Sequence, residues 1–274
     1  AQRACNSMAI SEDMRATARS VYPKAEPPAP FTIESLGRHA VERGFADGAS
    51  KQSISILQRI GYQHASGYFK MLESDKSSPM SMKRVHRLIV FDRKLQALLI
   101  EYIGLFELQF RAQYSYALSS ERGAFAHRDA RNFKRQDYFD SFIEKYQSEF
   151  NRQLKNRNAD LDRAYETYGD APTWLAVEIM SFGTLSMLYK NTRSAKVRGA
   201  VAASFHTDSE HFESWTRALS SIRNTCAHFG RICGTRLVSK PKRIPGAKGD
   251  NGSPFYAILL LIYMLSNELF FEDD

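Results

Sequence analysis

Apolar residues recur along this chain at intervals of three and four, the spacing that places side chains on one face of a helix. The longest such run extends from about Met82 to Leu118, through Leu88, Leu95, Leu99, Ile103, Phe106, Phe110 and Tyr114, and predicts a central helix. Ahead of it, Thr32 can cap a helix over Ile33 to Arg43, and Ser50 or Ser53 can start another through Ile54, Leu57 and Ile60 that Gly61 ends. Gly61 to Phe69 sets aromatics beside two glycines and reads as a tight connection packed on the core. Further helices are expected over Tyr138 to Arg152, from Pro172 through Trp174, Val177, Ile179 and Leu185, near Ala195 to Phe205, at Glu210 to Phe229, and from Pro254 to Phe271. Strand-like alternation is confined to Ile232 to Ser239, which reads as a short hairpin arm or a basic loop. The expected fold is therefore all-α, a helical bundle with accessory N-terminal helices and no internal repeat.

Three regions follow from the same pattern. Residues 1–30 end in Pro23, Pro27, Pro28 and Pro30 and read as a stiff tail or linker. Residues 31–80 form an accessory helical region and 81–274 the main helical core, with 31–274 expected as one compact unit. At 274 residues, with 43% hydrophobic and 12% aromatic content, the chain can bury a sizeable core.

Charge changes this picture at one place. Lys and Arg number 38 against 30 Asp and Glu, a net +8. Between Glu213 and Asp250 there is no acidic residue, while Arg217, Arg223, Arg231, Arg236, Lys240, Lys242, Arg243 and Lys248 supply eight positive charges. The remainder sums to zero, so whatever polyanion the protein meets is expected at this window. Three cysteines at Cys5, Cys226 and Cys233 show no metal-ligand spacing and no disulfide framework. The first residues lack the order of a signal peptide, and the longest apolar run, Phe255 to Leu265, is too short to span a bilayer. A soluble cytoplasmic protein with no membrane partner is expected.

Inside the basic window the apolar helix pattern is interrupted by polar side chains at Arg223, Asn224, His228 and Arg231. On a wheel of about 100° per residue, Leu219, Ile222 and Cys226 fall within roughly 40° of Trp215, while Asn224, His228 and Arg231 fall near 180°, 220° and 160°. A helix running through position 231 thus presents an imidazole between an amide and a guanidinium, with Arg223 on the flank. That array suits attack on a phosphodiester: His228 can move a proton at neutral pH, and the arginines can hold the phosphate and its developing charge. RNA is the better substrate, because its 2′-hydroxyl supplies the nucleophile and no metal or cofactor is needed. Two proton transfers are required and one histidine makes one at a time, which predicts a homodimer with a composite site. The plainer alternative is a solvated basic helix face whose histidine caps the C-terminus, Gly230 being a helix-end signal.

Arg followed by Asn, with His five residues after the Arg, resembles the signature of HEPN superfamily ribonucleases. In its setting, Trp215 to His228 is similar to the C-terminal block of the Abi-like abortive-infection proteins. Three further stretches resemble that family in the same order: Gln58 to Tyr62 with Ser66-Gly67-Tyr68, then Phe91-Asp92-Arg93-Lys94-Leu95, then Pro172 to Leu175 with Ser181 to Ser186. The resemblance implies a HEPN-type helical core and a metal-independent endoribonuclease leaving 2′,3′-cyclic phosphate and 5′-hydroxyl ends. It also implies a role in phage defence or as the toxin of a toxin–antitoxin pair, restrained by a noncoding RNA or a protein antitoxin. Members often carry Trp-Asn after the last Arg, where this chain has Ile232-Cys233-Gly234.

On this reading Arg223, Asn224 and His228 are catalytic, and Arg231, Arg111, Glu107, Arg217 and Lys248 bind RNA or support the site. Glu107 and Arg111, one turn apart, resemble the family's acid and arginine in that block, or else form a surface ion pair. Lys83, Arg84, His86 and Arg87 read as a solvated helix start, and Gly246 to Gly249 as a flexible turn that adds Lys248 near a bound strand. A non-catalytic RNA-binding protein or scaffold, bound to a small structured RNA, is the competing function. No Walker loop, nucleophile elbow, zincin motif or dinucleotide fingerprint is present.

Overall fold

A computed structural model describes residues 31–75 and 79–266. The expected tail, 1–30, and the end of the helix expected to reach Phe271 lie outside the described residues. Eleven α-helices and three 3₁₀ segments, with no β-strand among the described residues, make the protein all-α. Contacts divide it into two compact units, Ala1–Tyr62 with Met80–Met82, and Gln63–Pro79 with Lys83–Asp274.

The first unit is built on α1 (Ile33–Glu42) and α2 (Lys51–Ile60), each started by the residue the sequence nominates. Thr32 Oγ1 accepts from the Ser35 N–H and Ser50 Oγ from the Ser53 N–H, both at 3.2 Å. The rings of Phe31, His39 and Tyr62 pack together, with Phe31 and His39 stacked at 4.8 Å.

Gly61, at φ +77°, ends α2, and the chain then begins a new helix at once instead of forming an extended connection. This helix, α3 (Tyr62–Ser74), corrects the expectation for Gly61 to Phe69: Ala65, Tyr68, Phe69 and Leu72 keep three-and-four spacing and are buried, and that outweighs the low propensity of Gly67. The second unit continues through α4 (Met82–Arg122), α5 (Gln136–Lys155), α6 (Ala159–Tyr168), α7 (Thr173–Ala176), α8 (Phe182–Asn191), α9 (Ala195–Ala203), α10 (Ser209–Ala227) and α11 (Tyr256–Leu265). Its core is a cluster of rings in which Phe106 and Phe110 of α4 meet Phe182, Tyr189, Phe205 and Phe212 at centroid distances of 5.0–6.5 Å. Each such side chain contributes on the order of 2–3 kcal/mol by leaving water.

The helix expected from Pro172 to Leu185 is interrupted. Val177–Ile179 tightens to 3₁₀, Met180 is extended, and Ser181 caps α8 by accepting from the Thr184 N–H at 3.1 Å. Arg111 from α4 takes the carbonyl left free at the break, that of Met180, and adds a second donor to that of Val177, which also accepts the Met180 N–H. Small residues then bring α8 against α10: a Cβ on Gly183 would lie 3.3 Å from Ser220 Oγ, and Ser186 donates to Thr216 at 3.2 Å. Ile232 to Ser239 forms no strand and is a loop, tied by the Leu237 N–H to the Gly252 carbonyl at 2.8 Å. No helix among the described residues is long and apolar enough to cross a membrane.

Candidate functional site

The polar residues of the basic window gather at the C-terminal end of α10. Asp208 caps the start of this helix, its carboxylate accepting from the Glu210 and His211 N–H groups at 2.9 Å. Phe212, Trp215, Leu219, Ile222 and Cys226 bury one face, as the wheel predicts, and the Trp215 indole donates to the Lys242 carbonyl at 2.8 Å. Asn224 and His228 are exposed on the other side, and Arg223, half-buried, donates to Asn224 Oδ1 at 3.3 Å.

The wheel fails beyond Ala227. His228 is the C-cap residue, and Phe229 turns into the left-handed region at φ +54°. The Gly230 N–H reaches back to the Thr225 carbonyl at 2.8 Å and the Phe229 N–H to that of Cys226 at 3.0 Å, the paired bonds of a Schellman helix end. Glycine is needed at 230 for space, because a Cβ there would lie 2.9 Å from Thr225 Cγ2. Arg231 therefore leaves the helix and does not stack above His228. Its guanidinium lies over α3 instead, 5.8 Å from the centroid of Tyr68, and a Cβ on Gly67 would come within 3.1 Å of its Nε.

The turn after Arg231 closes on a buried carboxylate that the sequence reading did not single out. Asp92 of α4 is fully buried. Its Oδ2 accepts from the Tyr68 hydroxyl at 2.7 Å and the Ile232 N–H at 2.9 Å, and its Oδ1 from the Cys233 N–H at 2.9 Å. Gln96, one turn along, donates to the Gly230 carbonyl at 3.0 Å and to Asp92 at 3.4 Å. Burial acts to raise the Asp92 carboxyl, but the hydrogen bonds from Tyr68, Ile232 and Cys233 more than offset it, and the group sits below the usual carboxylate range. Burial, then the Asp92 charge, pushes Cys233 up to about 12, and burial pushes Cys226 up to about 11, so both are neutral thiols at physiological pH. The signal for Asp92 and Gln96 was present: both occupy the α4 register that is apolar at Val85, Ile89, Leu99 and Ile103, where an acid has no packing reason to be.

The other candidates are dispersed. Arg217 is exposed on α10, and Lys248 is exposed in the loop between Gly246 and Gly249. Arg111 and Glu107 form no surface pair. Arg111 is buried, and its guanidinium donates to Glu107 and to the carbonyls of Val177 and Met180, the last at 2.7 Å. Within the basic window, Lys242 pairs with Glu210 and Arg236 with Asp250, so two of the eight charges are closed at its edges.

The profile of a family described as Abi-like protein matches residues 55–233, more than half of the chain. The chain belongs to the Abi-like protein family. The matched span ends at Cys233, the last residue whose amide Asp92 holds, so the clamp on the turn lies inside the family's own extent. Family membership suggests a role in abortive infection, a form of phage defence. No curated protein and no solved structure matches this Abi-like chain.

Proposed function

We propose that this Abi-like protein is a metal-independent endoribonuclease of the HEPN type, acting in phage defence or as the toxin of a toxin–antitoxin pair. The observation that carries this reading is the end of α10, where His228 stands exposed at the C-cap one turn beyond Asn224, with Arg223 beside it. One His228 accepts the proton of the ribose 2′-hydroxyl as that oxygen attacks phosphorus. Arg223 and Arg231 hold the phosphate. The bond to the 5′-oxygen breaks, leaving a 2′,3′-cyclic phosphate, and a protonated His228 from a second copy returns a proton to the leaving oxygen.

An apolar strip next to the site supports the second copy. Phe91, Leu98, Leu105 and Leu108 of α4 are exposed, and Leu95, Leu98, Leu99 and Tyr102 with Ile258, Leu261 and Ile262 line a groove of about 270 Å³. The same helix carries Gln96, whose amide holds Gly230 in the turn that follows His228. RNA cleavage in EDTA by wild type and by His228→Ala tests the reading. Cyclic-phosphate ends made by wild type and abolished in the variant support it, and equal activity in both overturns it. Binding without products under any condition would favour a non-catalytic RNA-binding protein.

A further inference from the structure

A buried carboxylate is costly unless its lone pairs are matched, and an apolar side chain at position 92 would pack at no such cost. What the carboxylate supplies is an acceptor for two successive amides, Ile232 and Cys233, in a turn outside any helix. Gln96 holds the carbonyl on the other side, at Gly230. The backbone is thus pinned to α4 both before and after Arg231, three residues downstream of His228.

Pinning the backbone decides where the Arg231 side chain can lie. It rests in a seat floored by Gly67 and by the Tyr68 ring, whose hydroxyl is one of the donors to Asp92. Gly234, at φ +67°, closes the seat: a Cβ there would meet Met71 Sδ at 2.9 Å and the Arg231 guanidinium at 3.4 Å. The Arg231 side chain forms no ion pair among the described residues and stays half-exposed, so its N–H groups are directed by packing and left open to an anion.

We propose that Asp92 is a positioning residue: it clamps the turn after His228 to α4 and seats Arg231 on Gly67 and Tyr68 to receive an RNA phosphate. The identity of the anion rests on the ribonuclease reading above, whereas the clamp stands on the geometry of α3, α4 and the turn.

Asp92→Asn and Gly67→Val separate the two parts. In Asp92→Asn, amide hydrogen exchange across 230–235 is expected to accelerate at least about tenfold, while α8 and α10 keep their protection. With enzyme in excess over RNA, the single-turnover rate constant should fall about 100-fold, the cost of misplacing a group by roughly 1 Å. The reactive fraction should stay unchanged, whereas a purely structural defect lowers the fraction and spares the rate constant. Gly67→Val leaves Asp92 intact and does not weaken α3 intrinsically, since valine is the better helix former. It should loosen binding of a single-stranded oligoribonucleotide about tenfold, one charge-assisted contact. If Asp92→Asn proves unfolded, Tyr68→Phe, which removes one donor, is expected to raise exchange at 230–235 severalfold. Unchanged protection at 230–235 in folded Asp92→Asn, or in Tyr68→Phe, overturns the clamp. Faster exchange with an unchanged rate constant overturns the positioning role. If wild type cleaves no RNA, the ribonuclease reading fails alone: exchange still judges the clamp, and oligoribonucleotide binding that is unaltered in Gly67→Val overturns the phosphate seat.

Discussion

Replacing Arg111 with methionine keeps the aliphatic stem and deletes the guanidinium, which distinguishes a residue of the fold from a residue of the chemistry. In the folded protein that group bonds to the Val177 and Met180 carbonyls at the break between α7 and α8 and to Glu107, with side-chain exposures of 11% for Arg111 and 13% for Glu107. Deletion leaves a shielded carboxylate without its partner, which costs about 3–5 kcal/mol. It also strips the Met180 carbonyl of its donor, at about 1–3 kcal/mol where water cannot reach it, while the Val177 carbonyl keeps the Met180 N–H. One local relaxation serves both losses, so the sum is held to about 5 kcal/mol. At about 2–4 °C per kcal/mol for a unit of this size, the melting temperature should fall by about 10–20 °C. Adding Glu107→Gln should restore roughly half of that, because the unpaired charge is then gone. Thermal melts by circular dichroism, with RNA cleavage measured well below the variant's melt, provide the readout. A variant that melts within about 2 °C of wild type yet loses cleavage would refute the structural account and give Arg111 a supporting role in the reaction.

His127 is fully buried, its Nδ1 within 3.0 Å of Thr173 Oγ1, and burial lowers its pKa to about 4, Arg128 adding to the effect against Asp170. A depressed folded value means the proton favours the unfolded chain: the stabilisation is complete above about 6.5 and is lost as pH falls towards 4. Wild type should lose about 2 kcal/mol more than His127→Gln between pH 7 and pH 5 in urea titrations, and parallel curves would contradict this. Phe229 holds the left-handed region while 65% exposed, so Phe229→Gly should leave stability level or raise it by up to about 1 kcal/mol, and a clear loss would mean the ring packs. On the proposed two-copy site, wild type should sediment as a dimer and Leu98→Asp on the exposed α4 face as a monomer by analytical ultracentrifugation; a monomeric wild type would contradict the second copy, and a dimeric variant would remove that face from the interface.

The positions of helices were legible wherever packing follows from spacing. The α10 stripe of Trp215, Leu219, Ile222 and Cys226 and the capping by Thr32 and Ser50 need nothing beyond local sequence. Helix ends were less legible, because a wheel continues for as long as it is drawn. Gly230 marks the end of α10 correctly but not for the usual reason: the left-handed residue is Phe229, and glycine is required one position later to clear Thr225. The break at Met180 was hidden because its compensation is long-range, the carbonyls there being taken by Arg111 from α4, 66 and 69 residues away.

The candidate site shows the same division. Arg223, Asn224 and His228 were visible as polar residues in an apolar pattern, whereas Asp92 was visible only as an acid in a core register whose partners lie 140 and 141 residues further on. Those partners explain why the resembling stretches occur as separate pieces. Ser66-Gly67-Tyr68 supplies the floor and a hydroxyl, Phe91 to Leu95 supplies the carboxylate, and the segment from Arg223 to Cys233 supplies the imidazole, the guanidinium and the two amides. None of the three has a local reason to keep its polar residue, since each is paired only by another. Without the turn the buried carboxylate would lose two of its donors and keep only Tyr68 and Gln96, and without the carboxylate the turn would have unpaired amides. Positions 67, 68 and 92 are tied to the end of α10 by these contacts, and this is the sense in which the motif there is incomplete when read as a motif.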